Sequence, residues 1–121
     1  MPTECFLSSC ILQRWMANIV VAEDNRLVAY SLVSALEIEG HKVSEACVLE
    51  EILSAIRRSD LLVLSDTVKG YEEIAEKVNG SIPIILLSAY EQKEYEHCII
   101  KPYFEEDLLV KVGKVLKELE K

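Results

Sequence analysis

Four polar signatures in this sequence each close a short apolar run. They are Glu23-Asp24 after Asn18–Ala22, Asp66 after Leu61–Leu64 and Ser65, Ser88 after Pro83–Leu87, and Lys101-Pro102 after Cys98–Ile100. If the runs are strands of one parallel sheet, the three carboxylates, the hydroxyl and the ammonium converge at one end of it. Carboxylates brought that close repel one another unless a cation lies between them, and a hard dication with oxygen ligands, Mg²⁺, is the natural ion. An ammonium and a hydroxyl around a carboxylate suit phosphoryl transfer, in which charge on the moving group must be neutralised and its oxygens held. Asp66 would be the nucleophile and the product an acyl phosphate. Taken singly, each residue has a plainer role: Asp24 as a helix N-cap, Asp66 as a loop residue, Ser88 as a turn former, Lys101 as a solvated charge. Their joint placement at strand ends favours the chemical reading.

The elements that must position these groups alternate regularly. Asn18–Ala22 is too short for a helix and rich in β-branched residues, as a strand buried on both faces would be. Val28, Leu32, Ala35 and Leu36 then recur at helical spacing up to Gly40, a C-cap glycine. A strand over His41–Cys47 and a helix over Leu49–Arg58 follow. The run Leu61–Leu64 precedes a helix carrying Ile74 and Val78 that stops at Asn79-Gly80. Strands at 83–87 and 98–100 lead to a final helix, Phe104–Glu120, with Leu108, Leu109, Val112, Val115, Leu116 and Leu119 as its stripe. Alternating strands and helices imply right-handed crossovers and helices on both faces of a parallel sheet. The fold class is therefore α/β, a flavodoxin-like, doubly wound five-stranded parallel sheet of order 2-1-3-4-5. Its functional crevice lies at the carboxyl ends of the strands.

A chain of 121 residues has room for one such domain. Its formal charge of −8 argues against a phosphate-backbone partner, so no nucleic-acid contact is expected. Cys5, Cys10, Cys47 and Cys98 form no CxxC pair and have no histidine at zinc-ligand spacing, and they read as reduced thiols of a cytosolic protein. The apolar stretch Cys5–Leu12 is too short to span a bilayer and lacks a basic leader, so no membrane association is expected. Residues 1–15 read as an N-terminal extension without fixed structure, and 16–121 as the domain. His41 and His97 read as strand-edge residues.

The stretches Val20-Val21-Ala22-Glu23-Asp24-Asn25, Leu62-Val63-Leu64-Ser65-Asp66, Pro83-Ile84-Ile85-Leu86-Leu87-Ser88-Ala89 and Lys101-Pro102-Tyr103 occur in the order of the receiver-domain motifs. Over residues 17–121 the chain resembles the receiver domain of bacterial response regulators, the phosphoacceptor half of two-component signalling. The resemblance implies Asp66 as phosphoacceptor, Ser88 as the hydroxyl that senses the phosphoryl group and Lys101 as its cationic contact. It implies Mg²⁺ held by Asp24, Asp66 and the Val68 carbonyl, with Glu23 binding through water, and a cis Lys101-Pro102 bond. It also implies a non-enzymatic, cytoplasmic protein whose partners are a histidine kinase or histidine phosphotransfer protein and a downstream protein of unknown identity.

The departures from the family pattern shape the remaining expectations. Only Thr67, Val68 and Lys69 separate Asp66 from Gly70, where receivers carry a longer, proline-containing loop. Ala89–His97 cannot hold a fourth helix with its loops, so that helix should be reduced or absent, with Tyr90–Glu96 as a loop or a single turn. The switch aromatic, three residues before the lysine, is Cys98. The first reading is a single-domain receiver phosphorylated on Asp66 in a Mg²⁺-dependent reaction. The second is a pseudo-receiver, an interaction module that works without phosphorylation. An aspartyl-phosphate phosphatase is disfavoured, because its second aspartate would fall at Val68. Loss of the helix is expected to bring Ile85, Leu87 and Ile99 nearer the surface and to permit weak self-association.

Overall fold

The computed structural model describes residues 16–119. The N-terminal extension expected over 1–15 and the last helical residue expected, Glu120, lie outside the described residues. Five strands, β1 (Asn18–Ala22), β2 (Lys42–Glu45), β3 (Leu61–Ser65), β4 (Ile84–Ser88) and β5 (His97–Ile100), form one sheet of order β2-β1-β3-β4-β5. Every neighbouring pair is parallel, with Val21 opposite Val63, Leu64 opposite Leu86 and Ser88 opposite Ile100. Four helices complete the domain: α1 (Arg26–Ile38), α2 (Leu49–Ile56), α3 (Tyr71–Val78) and α4 (Glu105–Leu119). The sheet order and the doubly wound arrangement are those expected.

Strand parity divides the interior into two cores. Ile19, Val21, Leu61, Val63, Ile85, Leu87 and Ile99 pack beneath Leu32 and Leu36 of α1 and Leu108, Val112, Val115 and Leu116 of α4. The alternate residues, Val20, Ala22, Leu62, Leu64 and Leu86, pack beneath Ile52 and Ile56 of α2 and Ile74, Ala75 and Val78 of α3. A strand covered on both faces needs no polar alternation, which is why β3 is apolar until its last residue. Leu119, counted in the apolar stripe of α4 from its spacing, is 52% exposed at the end of that helix.

Local signals set the helix ends. Asn25 is extended, and its side chain accepts hydrogen bonds from the Leu27 and Val28 amides at 3.0 and 3.1 Å. It caps α1, the role that Asp24 could have filled, and so leaves the Asp24 carboxylate free for other contacts. At the other end of α1 the Gly40 amide donates to Glu37 and the His41 amide to Leu36, a Schellman closure that places Gly40 at φ 98°. His41 then accepts the Ala17 N–H on Nδ1 at 3.1 Å, a structural edge contact.

Between β4 and β5 there is no helix; residues 89–96 form bends and one turn. The expectation that this brings Ile85, Leu87 and Ile99 toward solvent is corrected. They are 0%, 0% and 7% exposed, because their parity turns them toward α1 and α4. The thinned cover lies on the opposite face, where an open groove of about 690 Å³ is lined by Glu72, Glu76, Ile84, Glu94 and Tyr95. Tyr95 packs into this face and Gln92 is buried above it. Burial pushes the Tyr95 phenol up to about 12.

Candidate functional site

All the candidate residues lie at the carboxyl ends of β1, β3, β4 and β5, where a parallel sheet leaves a crevice. Asp66 immediately follows β3. Its Oδ2 accepts from the Ser88 hydroxyl at 3.0 Å and from the Ala89 N–H at 3.2 Å, while Lys101 Nζ stands 3.4 Å from Oδ1. Ser88 is fully buried as the last residue of β4, and the Asp66 and Lys101 side chains are 14% and 25% exposed. The carboxylate is thus solvent-reachable and ringed by two uncharged donors and one cation, a charge-assisted arrangement. The Lys101-Pro102 bond is cis, as the family pattern implied.

Glu23 and Asp24 are engaged elsewhere. Glu23 is 3% exposed, and its Oε2 accepts from the Asn25 N–H at 3.1 Å and from the Thr67 hydroxyl at 3.0 Å. The same hydroxyl is hydrogen-bonded to Asp24 Oδ1. Foremost among the causes, Thr67 holds the Asp24 carboxyl below its ordinary value. Thr67 Oγ1 also lies 2.8 Å from Ser65 Oγ, which accepts from Lys101 Nζ at 2.8 Å and from the Thr67 N–H at 3.3 Å. Two donors fill the Ser65 lone pairs, so its proton points to Thr67, and the Thr67 proton then points to the acidic pair. A directed chain therefore runs from the Lys101 ammonium through Ser65 and Thr67 to Glu23 and Asp24.

Sequence reasoning did not anticipate Ser65 and Thr67. Their signal was parity: Ala22 pairs with Leu64, so the next step brings Glu23 beside Ser65. The structure brings Asp66, Ser88 and Lys101 together, while the Glu23 and Asp24 carboxylates meet at the Thr67 hydroxyl. Among the described residues no group of three or more His, Cys, Asp or Glu side chains is placed to hold a metal ion. The Val68 carbonyl, expected to face a metal, accepts the Tyr71 N–H at 3.1 Å in the short turn before α3. The oxygen donors are chemically suited to a hard dication, and in this arrangement the Thr67 hydroxyl bridges the acidic pair. An open cleft of about 880 Å³ adjoins this pair, lined by Leu27, Thr67, Lys101 and Phe104 among others.

No family profile matches the chain, and no curated protein matches it. Solved structures do. A CheY-like response regulator receiver domain protein from Methanospirillum hungatei JF-1 aligns with a TM-score of 0.75 at 24% identity, covering 87% of this chain and 97% of its own. A response regulator from Thermotoga maritima aligns at 0.71 and 23% identity, over 84% of this chain and 98% of its own. The response regulator PhyR from Brucella abortus aligns at 0.77 and 18% identity over 87% of this chain, which spans only 49% of PhyR. With a parallel sheet of the same order, helices on both faces and the acidic, hydroxyl and lysine groups at the strand ends, the chain has the fold of a response regulator receiver domain.

Proposed function

We propose that this chain is a signalling receiver whose Asp66 accepts a phosphoryl group from the phosphohistidine of a histidine kinase or histidine phosphotransfer protein. The observation that carries this reading is the set of donors on Asp66: the Ser88 hydroxyl, the Ala89 N–H and the Lys101 ammonium. In the transfer an Asp66 oxygen bonds to phosphorus as the P–N bond to the partner's imidazole breaks, and the departing nitrogen keeps the electron pair. Lys101 offsets charge on the phosphoryl oxygens, and Ser88 and Ala89 donate to them. A downstream protein then reads the changed charge. No described helix is long and apolar enough to cross a membrane.

Mg²⁺ is the dication this family of sites takes, with Asp24, Asp66 and the Val68 carbonyl as ligands and Glu23 acting through water. For it to bind here, the Thr67 hydroxyl must leave Asp24, and the Val68 carbonyl must share its lone pairs with the Tyr71 amide. That requirement favours a second reading, a phosphorylation-independent pseudo-receiver in which Thr67 stands in for the ion. Incubation with acetyl phosphate and Mg²⁺ followed by intact-protein mass spectrometry separates the two. One phosphoryl group on the parent and none on Asp66→Asn supports the acceptor; equal labelling of both overturns the assignment, and no labelling of the parent selects the pseudo-receiver.

A further inference from the structure

Ser88 Oγ has one proton and two lone pairs. The Tyr90 N–H donates to it at 3.2 Å and Gln92 Nε2 at 2.9 Å, so both lone pairs are filled and the proton is forced toward Asp66 Oδ2. Gln92 is 5% exposed, a buried amide in the segment that replaces a helix. Its other polar atom, Oε1, accepts from the Tyr71 hydroxyl at 3.2 Å, at the first turn of α3. The reverse amide orientation would turn Oε1 onto Ser88 and draw the serine proton away from the Asp66 carboxylate, leaving oxygen facing oxygen there. Every polar atom in the chain Asp66–Ser88–Gln92–Tyr71 is thereby satisfied, and no buried side-chain polar atom among the described residues lacks a partner. The position three residues before Lys101 is Cys98, which carries no ring to rotate, and the side-chain link from Ser88 to α3 is Gln92.

We propose that Gln92 positions the Ser88 hydroxyl and, through Tyr71, carries the state of Asp66 to the first turn of α3 and to the 89–96 segment. The first half stands on the resting geometry alone; the second rests on the reading of Asp66 as phosphoacceptor. A phosphoryl group on Asp66 sets its oxygens beyond the carboxylate, and the Ser88 hydroxyl must re-aim to reach them. Gln92 Nε2 then loses its acceptor. A buried amide without a partner turns to find one, and its Oε1 leaves the Tyr71 hydroxyl. The segment 89–96 and the turn into α3 loosen together.

Amide hydrogen exchange on the full chain tests both halves. Without any phosphodonor, Ser88→Ala and Tyr71→Phe are each expected to raise exchange across 89–96 by about fivefold, the equivalent of one neutral hydrogen bond. The double variant should exceed the larger single effect by little, because both act on one chain. Unchanged exchange in Tyr71→Phe, which removes only a hydroxyl, or full additivity, overturns the positioning role. With acetyl phosphate the parent should loosen across 89–96 and at Tyr71, whereas Tyr71→Phe, which lacks the hydroxyl bonded to Gln92, should take the label without a further rise. If the label forms and parent and Tyr71→Phe respond alike, the transmission is refuted with the acceptor intact. If no label forms, the Asp66 reading fails and with it the transmission, while the resting comparison still decides the positioning.

Discussion

Replacing Thr67 by valine keeps the shape of the side chain and removes the one hydroxyl that Glu23 and Asp24 share. Glu23 is almost fully buried and keeps only the Asn25 N–H on Oε2, so it loses a hydrogen bond to a charged group, worth about 2 kcal/mol. Asp24 is exposed, water replaces its lost donor, and no stability is assigned to it. For a domain of this size a loss of about 2 kcal/mol lowers Tm by roughly 6–12 °C. The acidic pair of Thr67→Val, no longer bridged, should also gain more from a dication than that of the parent. Thermal melts followed by circular dichroism at neutral pH, with and without millimolar Mg²⁺, measure both effects. A variant that melts with the parent in the absence of Mg²⁺, or a parent that gains as much from Mg²⁺ as the variant, would refute the idea that the hydroxyl occupies the place of the ion.

Acid titration gives the same contact a sign. Thr67 holds the Asp24 carboxyl below its ordinary value of about 4, so in Thr67→Val that carboxyl should titrate closer to the ordinary value than in the parent, as followed by side-chain carboxyl NMR. Asn25→Ala removes two cap bonds from α1 and should cost about 1 kcal/mol by urea unfolding, with the fold retained. Leu86→Ala opens a cavity at the centre of the core beneath α2 and α3 and should cost about 2–5 kcal/mol by the same measurement.

The strands and helices were legible because their signals are local. Short β-branched runs, a 3.6-residue stripe and glycines at Gly40 and Gly80 each report on a few neighbouring residues. Asp66, Ser88 and Lys101 were legible for a related reason: a polar residue ending an apolar run marks the functional end of a parallel sheet. What remained hidden depends on parity. The handedness of the crossovers places the missing helix on the side of α2 and α3, yet nothing in Ile84–Leu87 says whether even or odd residues look that way, since both are apolar. Ile85 and Leu87 were therefore assigned to the wrong face. Ser65, Thr67 and Gln92 were missed because hydroxyls and amides have many uses, and only partners distant in the chain, Lys101 for Ser65, Glu23 for Thr67 and Tyr71 for Gln92, select one.

Those hidden residues change how the site works as a unit. Lys101 Nζ lies closer to Ser65 than to Asp66, 2.8 Å against 3.4 Å, so at rest its shorter contact leads toward the acidic pair. A phosphoryl group on Asp66 would bring a dianion within reach of the same ammonium. The competition is unequal, because a hydrogen bond to a neutral hydroxyl is weaker than one between opposite charges. If Lys101 turned to the phosphoryl group, the Ser65 lone pair would lose its donor, and the proton order that aims Thr67 at Glu23 and Asp24 would no longer be enforced. The acidic pair would then be released at the step in which negative charge at the site increases, which is when a dication is most useful. If Asp66 accepts a phosphoryl group, its phosphorylation and release of the Thr67 clamp would therefore be linked through one ammonium, and by reciprocity anything that loosens the clamp should also free Lys101 for Asp66.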